Sequence, residues 1–344
     1  MTTGRRIDVG GPYFEDFEVG QAFDDAPGVT LTEGHAALYL ALSGDRLRLP
    51  LDRTLCEAVT GRPGLVAHPM LVCNVAIGQT TAPSQRVRGN LFYRGLILRR
   101  PAFIGDTLRT RTTVVGLVHN RPKPGRAGTG MVALEMQVTN QVGAVLLHFY
   151  RCPMIPCRDP DHVSPHVGKT FDAIPATIEL PAVAAAVPSD WRLAAFRRAV
   201  GGAHFAALAP GTTYVVEGRD TITGAPELVR LTLNQAMTHS DARSSAYGKR
   251  LVYGGHTIAV AAAQLTRALP NLVTVLAWRS CEHTAPVFEE DILRSEVTIV
   301  ALHPLADGGM VDLAVRVFAQ RGPQAPEPGT DIPVLDWQLI GLMA

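Results

Sequence analysis

Pro101-Ala102-Phe103-Ile104-Gly105-Asp106-Thr107-Leu108 is answered further along the chain by Pro286-Val287-Phe288-Glu289-Glu290-Asp291-Ile292-Leu293. Each stretch places phenylalanine third and aspartate sixth, then runs into alternating β-branched residues, 109–118 in one and 295–302 in the other. Ahead of each lies a helical segment of small and apolar residues, 70–80 and 256–269, the second stopped by Pro270. Asp106 and Asp291 are 185 positions apart, Pro69 and Gly255 186. Spacing this constant over two landmarks argues for a duplication.

Within each copy the order is a short helix, a longer small-residue helix, then three or four strands. In the first copy Thr30-Leu31-Thr32-Glu33 reads as a capping box opening a helix with apolar positions at Ala37, Leu38, Ala41 and Leu42. Strands over 132–139 and 144–150 flank Asn140-Gln141-Val142-Gly143, a hairpin signal. Strands in adjacent runs pair antiparallel, so the expected class is α+β rather than doubly wound. Between the copies come Pro153, Pro156, Pro160, Pro165, Pro175, Pro181 and Pro188, a spacing hostile to helices and central strands. The expected organisation is therefore one unit over 1–150, a surface connector over 151–195 and a second unit over 196–344. A further proline-rich loop, 322–333, precedes a last strand over 334–342.

Of 344 residues 47% are apolar, enough for two cores. Thirty-two basic against 31 acidic residues, without single-sign blocks, argue against a nucleic-acid binder or a polybasic membrane-surface protein. No run approaches the ~20 apolar residues of a bilayer span, and Arg5-Arg6 are followed by no apolar h-region of a secretory signal. Five cysteines, an odd number, fit a reducing compartment. The expected location is cytoplasmic.

Three places could carry chemistry. Leu251-Val252-Tyr253-Gly254-Gly255-His256-Thr257 runs from a strand-like segment through two glycines into a helix. A helix N-terminus offers free N–H groups to an oxygen that gains negative charge; alternatively the glycines only let a helix pack closely. Upstream, Asn234 and His239 lie five residues apart; histidine takes and returns protons near neutrality, and asparagine can hold a water. Cys152, Cys157, His162 and His166 have the residue types of a zinc site but the spacing of no common finger, and a solvated linker is the competing reading. Gly125–Gly130 is glycine-rich but leads into a strand, so no phosphate loop is expected there.

The repeat, the Gly-Gly helix entry and the Asn…His pair together resemble the MaoC-like hydratases of the hot-dog fold, and more narrowly the double-hot-dog mesaconyl-CoA hydratases. The likeness begins at Phe14-Glu15-Asp16-Phe17 and includes Leu31-Thr32-Glu33-Gly34, Tyr39-Leu40-Ala41-Leu42-Ser43-Gly44, Arg250-Leu251-Val252-Tyr253-Gly254-Gly255-His256 and His283-Thr284-Ala285-Pro286. It implies a double hot dog, each antiparallel sheet wrapped round one long helix, the two sheets joined side by side. It also implies reversible syn hydration of an enoyl-CoA: Gly255 N–H polarises the thioester carbonyl, Asn234 orients the water and His239 moves the proton. Tyr253, Gly254, His256 and His283 are the implied pocket residues, and Arg250, beside Lys249, the implied partner of a phosphate or carboxylate. An acyl-CoA thioester is the implied partner, with no cofactor beyond its CoA, no metal, and assembly as a homo-oligomer, dimer or higher.

This chain departs from the broader family's G-D-x-N-P-L-H signature. The first copy keeps Ser43-Gly44-Asp45 but has Asp52 near the histidine position and Pro69, which lacks an N–H, where the second has Gly255. The second copy has Asn234 in place of the acid. Both departures point to a first copy that shapes the acyl pocket and a catalytic second copy. With His239 as base, activity is expected to fall on acidification near the ordinary histidine range of about 6–7. A thioesterase and a non-catalytic acyl-CoA binding protein are the alternatives, since fold does not determine function.

Overall fold

In the computed structural model, which describes residues 5–7, 9–121, 128–159, 162, 165, 171–172, 174–321 and 329–344, one unit is built twice. The first comprises β1 (Ala22–Phe23), β2 (Val29–Thr30), α1 (Glu33–Ser43), α2 (Arg53–Thr60), α3 (Pro69–Gln79), β3 (Gly89–Leu98), β4 (Thr107–His119), β5 (Thr129–Thr139) and β6 (Val145–Pro156). Two short helices, α4 (Leu180–Ala184) and α5 (Leu193–Ala199), lie in the connector. The second unit follows with β7 (Thr213–Val215), β8 (Asp220–Thr221), α6 (Ala225–Leu231), α7 (Met237–Ser240), α8 (Gly254–Ala268), β9 (Leu272–His283), β10 (Ile292–Pro304), β11 (Gly309–Gln320) and β12 (Asp331–Met343). The order β1-β4-β5-β6-β3-β9-β12-β11-β10-β7 makes one continuous sheet whose halves mirror each other. Its seam is the antiparallel pair β3–β9, with Tyr93 opposite Cys281 and Ile97 opposite Ala277.

Pattern dictates each element. All eleven residues of α3 are buried, the condition of a helix enclosed by the core; in α8 twelve of fifteen are. Along β10 Leu293, Ser295, Val297 and Ile299 turn inward at period two. The repeated aspartates do identical work: Asp106 accepts from Phe103 N–H at 2.8 Å and Asp291 from Phe288 N–H at 2.9 Å, closing the same turn. Gln79 donates to the Leu108 carbonyl at 2.9 Å, and Gln264 to that of Leu293 at 3.0 Å. The copies also hold each other. Thr81 Oγ1, just past α3, accepts Gln235 N–H at 2.9 Å, and Thr266 Oγ1 in α8 accepts Arg46 N–H at 3.2 Å.

Several boundaries move. Thr30 ends β2, and Thr32 caps α1 through His35 N–H. That helix buries Tyr39 while Leu38 stays 42% exposed, so its inward face is not the expected apolar one. Strand β6 runs on through Pro153 to Pro156, past the expected connector start, because Pro153 sits beside a bulge of β3 where the ladder is already broken. Strand β12 likewise starts at Asp331, with Pro333 beside a register shift. From residue 174 on, the chain that follows β6 packs against the sheet instead of running exposed over it. Ile178, Val183, Ala186, Leu193, Phe196 and Val200 are buried with α2 residues over Val273, Leu276, Ile340 and Leu342, forming a second core on the sheet face away from the central helices. Positions 125–127, 166 and 322–328 lie outside the described residues. Among the described residues no helix is long and apolar enough to cross a membrane.

Candidate active site

A cavity of about 220 Å³ opens at the seam between the copies. Ile77, Thr81, Tyr93 and Arg151 reach it from the first copy; Asn234, His239, Tyr253, Gly254 and His283 from the second.

His239 lies in α7, hung between the Asn234 turn and the segment leading into α8. Its Nδ1 stands 2.9 Å from the Leu251 carbonyl. A carbonyl only accepts, so Nδ1 carries the proton and Nε2 keeps its lone pair. The ring leans on Tyr253, centroids 5.5 Å apart. Burial above all, helped by the positive charge of Arg151 and opposed by the Leu251 bond, pushes its pKa down to about 4. Asn234, 7% exposed, turns Oδ1 to Ala236 N–H at 2.9 Å, which orients its amide NH₂ as a donor.

The N-terminus of α8 faces the same space. Tyr253, its N-cap, supplies no side-chain cap, so the first N–H groups keep their donor capacity. The backbone in the cavity wall is that of Gly254. A Cβ there would stand 2.5 Å from His283 Nε2, so only glycine fits. Gly255, the expected donor, is not part of the wall. A Cβ on it would meet Asn74 Oδ1 at 1.8 Å, and its smallness serves the close approach of α3 and α8. Close packing thus explains why position 255 is a glycine, and Gly254 is the glycine that borders the cavity.

Tyr253 and His283 line the cavity, and among the described residues neither the tyrosine hydroxyl nor His283 Nε2 has a partner. Burial, with His239 nearby, also takes His283 down to about 4. His256 does not join them: it is 1% exposed, inside the core and away from the wall. Arg250 is exposed and outside the cavity, where its charge reaches Glu289, and Lys249 lies over the Phe288 ring at 3.7 Å. Sequence reasoning missed Arg151 and Tyr93. A signal existed for the arginine, since it is in phase with the inward-facing Leu147 and Phe149 of β6.

The matching place in the first copy is filled. Asp45 Oδ1 accepts Leu47 N–H at 2.9 Å, the same two-residue turn that Asn234 makes. Its carboxylate also stands 3.0 Å from His68 Nε2 and accepts from Thr266 Oγ1 at 3.1 Å. Burial works against ionisation there, but His68 and these donors hold the Asp45 carboxyl below the usual carboxylate range. At the start of α3, His68 Nδ1 takes Met70 N–H at 3.1 Å and Pro69 has no N–H to give. Tyr39 closes the space, 5.1 Å from the His68 ring. Asp52, 3.0 Å from Leu55 N–H, caps α2. One copy thus presents an uncapped helix end to a cavity; the other caps its own.

Cys152 and Cys157 enter different hydrophobic clusters, Cys157 beside His119 and the latter edge-on to His162. Among the described residues no group of three or more His, Cys, Asp or Glu could hold a metal ion.

The depressed pKa of His239 changes the expected pH profile. A base is lost on protonation, so kcat/KM should stay level from pH 8 to 6 and fall only as pH drops through about 4–5. This lies below the expected range of about 6–7 because the half-buried ring has no carboxylate partner among the described residues to favour its charged form. An NMR titration of the His239 ring should follow the same curve; a limb near 6.5 would contradict the buried geometry.

No family model matches the chain. β-Methylmalyl-CoA dehydratase of Chloroflexus aurantiacus is 31% identical to it over 325 residues, covering 89% of this chain and 87% of that one. Mesaconyl-CoA hydratase of Cereibacter sphaeroides is 27% identical over 319 residues, covering 90% of each. Among solved structures, RV0216 of Mycobacterium tuberculosis, described as essential for bacterial survival during infection and as a double hotdog fold, is 51% identical with a TM-score of 0.90, covering 98% of this chain and 100% of its own. A putative MaoC domain protein dehydratase of Chloroflexus aurantiacus gives 27% and 0.80, covering 97% of each chain. The fold is therefore a double hot dog. The chain belongs to the family of β-methylmalyl-CoA dehydratase, the MaoC-like double-hot-dog dehydratases, and is an enzyme of the hydratase–dehydratase class.

Proposed function

We propose that this enzyme reversibly adds water across the double bond of an α,β-unsaturated acyl-CoA, with mesaconyl-CoA or a related branched or dicarboxylic enoyl-CoA as substrate. One observation carries the reading: a neutral imidazole with a free Nε2, an asparagine NH₂ and an uncapped helix N-terminus share one small cavity. The thioester oxygen lies toward the Gly254 end of α8, where the free N–H groups and helix dipole stabilise the charge it gains. Asn234 donates to the water and His239 Nε2 takes its proton. The hydroxide bonds to Cβ, the π electrons move toward the thioester oxygen, and the imidazolium returns its proton to Cα on the same face. Atoms and charge balance, with the imidazole restored.

The test is a panel of enoyl-CoA esters, including mesaconyl-CoA and crotonyl-CoA, followed by loss of the conjugated thioester absorbance. A thiol reagent runs alongside, because free CoA without hydration would indicate a thioesterase. No Asp or Glu lines the cavity among the described residues, so hydrolysis through a carboxylate nucleophile has no group to perform it.

Asn234→Asp should fold like the parent, since Asp45 holds the identical turn with a carboxylate. A new negative charge should repel a second substrate carboxylate, lowering kcat/KM for mesaconyl-CoA at least tenfold more than for crotonyl-CoA. Equal losses on the two esters would remove this reason for an asparagine.

A further inference from the structure

Arg151 is buried, 3% exposed, at the cavity wall. Its Nη2 donates to the Thr80 carbonyl at 2.7 Å and to Ser84 Oγ at 2.6 Å, while Nε has no partner among the described residues. Among the described residues no carboxylate forms an ion pair with it, and the groups whose charge it feels are Tyr93, Tyr253, Cys152 and His239. The wall holds two arginines, Arg151 inside and the exposed Arg88, and not one Asp or Glu among the described residues. A guanidinium keeps its charge in a protein, and an uncompensated buried charge is costly. Two neutral acceptors leave that charge uncancelled. The position the broader family fills with an acid is here the neutral Asn234, which leaves the cavity's charge positive throughout.

We propose that Arg151 is the specificity-determining residue of this enzyme: its guanidinium receives a second, free carboxylate carried by the acyl group, selecting dicarboxylic over monocarboxylic enoyl-CoA esters. The proposal rests on the hydratase reading and moves the carboxylate contact from the exposed Arg250 to a buried strand residue. A planar fork suits a carboxylate, and a site built around such a pair penalises a ligand that leaves the charge unmatched. Because Arg151 reaches the cavity from the first copy and His239 from the second, one copy reads the acyl group while the other moves the proton.

The first test needs only the native enzyme: kcat/KM for mesaconyl-CoA should exceed that for crotonyl-CoA by about 10² or more. Equal values, or preference for crotonyl-CoA, would overturn the proposal while leaving hydration itself intact; turnover of neither ester would instead defeat the hydratase reading. The second test is Arg151→Gln, with Arg151→Lys beside it. Arg151→Gln should cut kcat/KM for mesaconyl-CoA about 10²–10³-fold, mostly through KM, and leave crotonyl-CoA within about threefold. Arg151→Lys, which keeps the charge without the fork, should fall between. If both esters suffer equally in a folded variant, Arg151 acts only as a brace for the end of α3. Should Arg151→Gln not fold, the native ratio and the lysine variant still decide, because a brace predicts no discrimination between esters in either.

Discussion

Replacing His239 with alanine is expected to lower kcat by about 10²–10⁴, the usual worth of a positioned acid–base group, with little change in thermal stability. The ring is anchored by one bond to the Leu251 carbonyl and otherwise borders the cavity, so its removal enlarges space that is already open. His283 shares the wall and is also neutral, but a Cβ on Gly254 would strike its Nε2, which places that nitrogen against the start of α8 rather than beside Asn234. His283→Ala should therefore cost less in kcat than His239→Ala. Steady-state kinetics on both, with melting curves, check the ranking; a larger loss at His283 would make it the proton carrier.

The opposite behaviour is expected of Asp45→Ala. Its carboxylate is 2% exposed, and the change strands His68, Thr266 and the Leu47 turn in a dry interior. Removing a buried acceptor leaves its donors unsatisfied at about 1–3 kcal/mol each, so the melting temperature should drop by several degrees at least. Turnover per folded molecule should stay within about tenfold, because the first copy's helix end is capped by His68 and closed by Tyr39. Asp45→Asn, which can still accept the Leu47 N–H, should recover part of the stability. A well-folded Asp45 variant without turnover would show that the two copies have been assigned the wrong roles.

Local grammar made much of this legible. The Asp106 and Asp291 turns, the α8 entry and the period-two strands announce themselves through a few neighbouring residues, and they came twice. Asn234 and His239 could be paired from spacing and family likeness. Contacts between distant segments were harder. Prolines after β6 suggest exposure, yet the apolar residues between them, Ile178, Val183 and Ala186 among them, bury themselves on the sheet. No local pattern could show that Asn74 of α3 presses against Gly255, or that Gly254 is the glycine bordering the cavity. Nor could it show that burial would hold His239 far below the ordinary histidine pKa. For Arg151 the strand phase marks it as inward-facing, but its surroundings, His239 and Tyr253, come from the other copy.

The central claim is that one neutral imidazole, at the second copy's helix end, both takes the water proton and returns it to the α-carbon. Hydrating mesaconyl-CoA in deuterated water and reading the product stereochemistry by NMR tests this most directly. The account predicts a single deuterium at the α-carbon on the same face as the new hydroxyl group. Deuterium on the opposite face would require a second group across the substrate and would contradict it.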